Sequence, residues 1–332
     1  MLQLILERKD SRGKPLLISD LDAVAEEHAR PWKDEWEVQN ELLYSMETSC
    51  IVETREKYKD QARHFAEEVD LCPAAIRKAC GSFSGKTAIG IDGVCFKTIG
   101  ALPEVALEVL GALLKDAMAI LVLPMQCLLN IKVLLGKPGG GSRTVAIIAS
   151  FYRLLMRLVG GSIRQWDAKS AGHWDSAIKG STALQAQLAR ALDVELAKAE
   201  GKHSVHMLWD MRKFFDSVRI QKLIPHLERL GYPPSIMVLG FIMHKAPRIL
   251  KVGVGCSKIL GAIARSMLAG CQQSVSWTRG LLYEMVEGLG YVLPGSVADQ
   301  HVDDLSQVMV HKSRMVLVNA ATKCGKKVSD GV

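Results

Sequence analysis

No two of the eight cysteines form a C-x-x-C pair. Their spacing suggests no disulfide framework and fits reduced thiols in an intracellular compartment, nuclear or cytoplasmic. Cys72 with Cys80, or His203 with His206, would need a second ligand pair at zinc spacing, and neither has one. Long apolar spans are missing too. The most membrane-like stretch, 117–125 (AMAILVLPM), is half a span, contains Pro124 and reads as core, so no membrane partner is expected. The opening MLQLILERKD holds too short an apolar run for a signal peptide. Internal repeats and low-complexity tracts are absent. The glycine-rich GKPGGGSRT stretch is not closed by G-K-[ST], which excludes a phosphate-binding P-loop.

What is present describes a globular protein. The chain has 332 residues, 48% of them hydrophobic, enough for one large domain or two ordinary ones. Its charge is uneven. Residues 1–80 hold 12 Lys and Arg against 17 Asp and Glu, a net of −5, whereas the remainder holds 30 against 18, a net of +12. A basic body behind an acidic segment suits a polyanionic partner. A solvated surface with a chance bias is the plainer alternative.

Along the chain, residues 18–70 look helical and charged, with Trp32 and Trp36 as packing anchors. A Gly/Ser-rich break follows at 81–93. Leu102-Pro103-Glu104 opens a helix to about Leu121, because Pro and Glu suit a helix's first turn. Residues 127–135 and 144–148 read as strands around the GKPGGG turn, a hairpin with Lys137 and Arg143 near its tip. Leu184, Leu188, Leu192 and Leu196 recur every four residues, which predicts a core helix over 183–199 capped by Ser181 or Thr182. A strand at 204–209 ends at Asp210. Helices are expected at 219–230 and 261–288. Two β-type runs, 297–302 and 305–310, flank Asp303-Asp304 as a tight hairpin.

Neighbouring strand residues point to opposite faces, so Asp303 and Asp304 can share one site only where a turn relaxes that rule. If the turn abuts the end of the Asp210 strand, three carboxylates converge. Bare, they would repel one another and raise their own pKa values. Divalent metal relieves this, and oxygen-only ligands favour Mg²⁺. Two such ions about 3.5–4 Å apart suit in-line displacement at phosphorus. Taken alone, an Asp-Asp pair is equally an ordinary surface turn.

Four segments in order add specificity: TAIGIDGVCFKTIGALPE at 87–104, LLGKPGGGSRTVAIIASFYRLLMRL at 134–158, DMRKFFDSV at 210–218 and HVDDL at 301–305. Together they resemble the reverse transcriptase family, in particular that of non-LTR retrotransposons and group II introns, over roughly residues 85–332.

That resemblance implies an α+β, right-hand polymerase architecture of fingers and palm, with an antiparallel palm sheet packed on helices and the thumb absent or truncated. The division would be a helical acidic segment over 1–80, fingers over 81–200 and palm over 201–332. It implies template-directed DNA synthesis on RNA, with an RNA template, a DNA primer and dNTPs as partners, and further domains of a longer polyprotein beyond them. Two Mg²⁺ or Mn²⁺ ions would be held by Asp210, Asp303, Asp304 and the Met211 carbonyl. Phe215 would be a steric gate against the 2′-OH, with Phe214 in the core. Lys137 and Arg143 would neutralise the triphosphate, and Gly270 with Cys271 would support template and nucleotide. Tyr152 would pack and Arg153 touch template. Gly180 and Ser181 would form a template-side turn, and Asp216 and Ser217 would cap the next helix.

The chain departs from the family pattern at Ala269, where a Gln is expected unless Gln272 or Gln273 substitutes, at His301 and at Thr144. Two other readings stand beside the polymerase: a non-catalytic RNA-binding module derived from one, and an RNA-directed RNA polymerase, which Phe215 and HVDD in place of Gly-Asp-Asp disfavour.

Overall fold

The computed structural model describes residues 6–9, 15–37, 41–138, 141–178 and 180–331. Most of the apolar opening run, and Gly139 and Gly140 of the expected turn, lie outside the described residues.

The elements in chain order are strands β1 (Leu6–Lys9) and β2 (Pro15–Ile18), then helices α1 (Leu21–Trp36), α2 (Glu41–Glu68), α3 (Pro73–Gly81), α4 (Phe96–Gly100) and α5 (Glu104–Ile120). Strands β3 (Asn130–Gly136) and β4 (Ser142–Ile147) follow, then α6 (Ser150–Leu158), α7 (Gly160–Ser170) and α8 (Ala183–Ala199). Next come β5 (His203–Trp209), α9 (Phe214–Ser217), α10 (Ile220–Arg229), α11 (Pro234–Lys245), β6 (Arg248–Val252) and β7 (Gly255–Cys256). The chain closes with α12 (Gln272–Gly290), β8 (Val297–His301), β9 (Asp304–His311) and α13 (Arg314–Gly331). This is a mixed α and β protein with small sheets, the α+β class expected. No described helix is long and apolar enough to cross a membrane.

Two compact units are drawn from discontinuous stretches: Met1–Ser162, Phe215–Ile224 and Pro233–Ser274 in the first, Ile163–Phe214, Pro225–Tyr232 and Val275–Val332 in the second. In the first, a sheet of order β4-β3-β6-β7 pairs β3 with β6 in parallel and its other neighbours antiparallel. Helix α1 starts where Asp20 caps it, its carboxylate accepting the Ala23 amide at 2.7 Å. The inner face of α1 places Ala25, Ala29, Trp32 and Trp36 on Leu250, Val252, Leu260 and Ile263, a dry cluster. Both tryptophans are thus the packing anchors expected.

In the second unit the sheet is antiparallel, of order β5-β9-β8, with α8 and α13 packed on it. Thr182 caps α8, accepting the Gln185 amide at 3.1 Å. The leucine stripe of α8 needs correction. Leu184, Leu188, Leu192 and Leu196 are 63%, 61%, 59% and 51% exposed. At about 100° per residue they centre opposite Arg190 and Ala197, which are buried. Arg190 pairs with Asp299 of β8 at 3.0 Å, and this ion pair together with small alanines decides which face goes inward.

Other expectations shift. The first strand of the hairpin begins at Asn130, because Met125–Cys127 form a 3₁₀ turn after Pro124. The helix expected over 261–288 starts only at Gln272. Between Gly261 and Cys271 the backbone amides bond sideways instead of four residues back: Ala264 to the Trp36 carbonyl, Ser266 to Val218, Met267 to Phe215.

Candidate active site

The register of the second unit's sheet settles where its acids stand. Trp209 pairs with Leu305 at the end of β5. The paired register ends there, and continued by one step it would set Asp210 opposite Asp304. Directly opposed residues of an antiparallel pair lie about 4.5–5.5 Å apart at Cα and point to one face. On the other side of β9, His301 pairs with Asp304, leaving Val302 and Asp303 as a two-residue turn. Val302 has φ +60°, a conformation that β-branched residues avoid. Positive φ at the first central position alone is the type II′ pattern, where glycine is usual. The turn frees Asp303 from strand alternation. Burial lifts its carboxyl above the usual carboxylate range, the Asp304 and Asp210 carboxylates push it further, and a backbone hydrogen bond and His301 oppose them. Asp210 and Asp304 are exposed and Asp303 is half-buried.

The turn is held from below by residues that the sequence did not single out. Gln300, buried, donates from Nε2 to the Val302 carbonyl at 2.8 Å. The Gln300 amide donates to the Trp174 carbonyl, and the Gln300 carbonyl accepts from the Ser176 amide, at 2.8 and 2.9 Å. The Ser176 hydroxyl contacts Asp299 at 3.1 Å and His301 Nδ1 at 3.4 Å. Segment 174–176 is itself fixed by the buried Arg279, whose guanidinium bridges Asp175 and Asp167. No local pattern announces this bracket, since Ser176 and His301 are 125 residues apart.

The acids are therefore brought together within one unit. Among the described residues, no three His, Cys, Asp or Glu side chains are gathered closely enough to hold a metal ion as they stand. What the donor set offers is three oxygen-only groups, one of them raised first by burial and further by the other two. Met211 lies in the turn after β5.

The remaining candidates belong to the first unit. Arg143 is exposed on β4 opposite Leu135, and Lys137 closes the hairpin, its amide donating to the Gly141 carbonyl at 3.1 Å. Phe214, in the second unit, is buried, whereas Phe215 is half-buried. Gly270 has φ +108°, and a Cβ there would sit 2.9 Å from the Ala146 carbonyl oxygen, so only glycine fits.

Several assignments change. Asp216 does not cap the next helix: it is buried in α9, and its carboxylate accepts from Trp36 and Ser266. Arg153 is spent on structure, donating to the Ala88 carbonyl at 2.7 Å and stacking over Phe96. Gln273 is buried against Tyr152 and Met156, whereas Gln272 is exposed. Tyr152 is packed in the core as expected. All eight cysteines are free thiols. No protein-family model matches the chain, and a search of curated proteins returns no significant match.

Proposed function

We propose that this chain is a template-directed nucleotidyl transferase of the reverse transcriptase type, an RNA-directed DNA polymerase with its palm in the β5-β9-β8 unit and its fingers at the β3–β4 hairpin. The observation that supports this reading is the end of the β5–β9 pairing at Trp209 and Leu305, one residue short of Asp210 and Asp304, beside a strained turn whose Asp303 feels the charge of both acids. Asp210, Asp303, Asp304 and the Met211 carbonyl would hold two Mg²⁺ or Mn²⁺ ions. Bound there, the ions would supply charge neutralisation at the attacking and leaving oxygens.

The chain's own side chains do the rest. Lys137 and Arg143 meet the triphosphate and offset the charge that grows as pyrophosphate leaves. The half-buried Phe215 ring lies under the incoming sugar and rejects a 2′-OH. Gly270 lets the backbone turn where a side chain would collide with β4. The basic balance of residues 81–332 holds template and primer.

A second reading, a polymerase-derived RNA-binding module, is favoured by Ala269, which stands where the family carries a glutamine; burial takes Gln273 out of that role and leaves exposed Gln272 as the substitute. Primer extension on poly(rA)/oligo(dT) with Mg²⁺ or Mn²⁺ separates the two. The enzyme incorporates dTTP, and Asp303→Ala lowers incorporation by at least about a hundredfold. Salt-sensitive RNA binding without incorporation would establish the module instead.

A further inference from the structure

Next to Phe215 in the chain, Asp216 enters a buried polar cluster that this reading of the site does not use. Asp216 Oδ1 is its centre. It accepts from Trp36 Nε1 at 2.7 Å and from the Ser266 hydroxyl at 3.2 Å, and Lys132 Nζ stands 3.8 Å away. Two basic groups stand over the Trp36 indole, Lys132 Nζ 5.0 Å and Arg248 Cζ 4.9 Å from its centroid. All five side chains are buried, and Trp36, Lys132, Arg248 and Ser266 are fully so. Two basic side chains and one carboxylate are a costly set to bury in a core, which points to a role beyond filling space.

The backbone around the cluster indicates that role. Segment 263–270 runs as a strap. The Trp36 carbonyl accepts from the Ala264 amide at 2.8 Å. The Ser266 amide donates to Val218 at 2.9 Å, and the Met267 amide donates to the Phe215 carbonyl at 2.6 Å. The Ala269 carbonyl then accepts from Ala146 of β4 at 2.7 Å. Ser266 sits at φ +124°, a strained conformation for a residue with a side chain, held by its hydroxyl bond to Asp216. One strap thus joins the end of α1, the Phe215 backbone and the strand that bears Arg143.

We propose that Trp36 is a positioning residue for nucleotide selection: through Asp216 and the 263–270 strap it sets the position of Phe215 and the turn at Gly270. This rests on the polymerase reading above. Trp36→Phe keeps an aromatic ring, smaller than the indole, and removes the donor. Its loss leaves Asp216 short of its nearest partner and lets the strap drift relative to Phe215. The three aspartates themselves are unaltered.

The test is steady-state incorporation of dTTP and rUTP on poly(rA)/oligo(dT) by the full chain, comparing wild type, Trp36→Phe and Trp32→Phe. The Trp32 ring packs against Trp36 on the same helix, 5.2 Å centroid to centroid, so its variant controls for loosening of the core. One hydrogen bond of ordinary net strength corresponds to about threefold to tenfold, so the dTTP KM of Trp36→Phe should rise, and dTTP-over-rUTP preference should fall, by that factor with kcat nearly unchanged. Trp32→Phe should lower the melting temperature without moving either ratio. Should Trp36→Phe fail to fold, Ser266→Ala carries the same expectation from the other side of Asp216. An active wild type whose KM and sugar preference are unmoved by Trp36→Phe, or moved equally by Trp32→Phe, overturns the positioning role alone. A wild type without Asp303-dependent incorporation overturns the polymerase reading and this inference with it.

Discussion

Lys132 shows how far a single residue can be read from sequence. It lies in an apolar strand run, CLLNIKVLL, with nothing nearby to mark it as buried. Its partners come from positions 36, 216 and 248, all distant in sequence. Burial draws its pKa down to about 7, Asp216 opposes that fall, and Arg248 reinforces it; His244, buried beside them, is lowered as well. The unfolded chain therefore carries a proton on Lys132 that the native chain lacks between about pH 7 and 10.5, and raising pH through that window favours the native state. Lys132→Met removes this dependence and leaves Arg248 to balance Asp216. In urea unfolding, wild type should gain on the variant as pH rises from about 6.5 to 9.5, by at most about 1.4 kcal/mol per pH unit. Parallel stability curves for the two proteins would rule out a native lysine that deprotonates in this range. Phe214 is in the core, as expected, while Phe215 is half-buried. Asp216 was misread as a cap because its closest donor is 180 positions away.

At the scale of elements, periodicity located α8 to the residue and pointed its wrong face inward. A four-residue leucine repeat states that a helix has a stripe. It does not state that the stripe is the face with a neighbour. In α8 the inward face is the small one, where Arg190 and Ala197 let the helix lie close to the sheet. The combined change Leu188→Glu and Leu192→Glu should then shift unfolding free energy by less than about 0.5 kcal/mol, while Ala197→Glu should cost about 2 kcal/mol or more. Urea titrations of the three proteins decide this, and a large loss in the leucine variant would show that the stripe is buried in the native protein. Helix α11 went unforeseen because Ile236, Met237, Val238, Leu239 and Phe241 are buried all round, which leaves no apolar period to detect. The 261–271 segment misled for a different reason: its composition suits a helix, but its amides are taken by α1, α9 and their neighbours. The hairpins β3–β4 and β8–β9 were legible because glycines and paired acids break two apolar runs at hairpin spacing.

Over the whole molecule, the α+β class and the order of the segments could be read directly, whereas the assembly of each unit from three separated stretches could not. Pairings such as β3 with β6 join residues more than a hundred positions apart, and a single sequence carries no signal for them. The interaction of Asp303 with the distant Asp210 belongs to the same long-range class, and only chemistry points to it: acids that would repel unless they share a purpose. The claim that these acids serve a divalent ion is most directly tested by counting ions. Electron paramagnetic resonance titration with Mn²⁺, in the presence of template-primer and dTTP, should reveal about two bound ions per wild-type chain. Asp210→Asn and Asp303→Asn should each lose at least one. Equal Mn²⁺ occupancy in wild type and both variants would contradict the account.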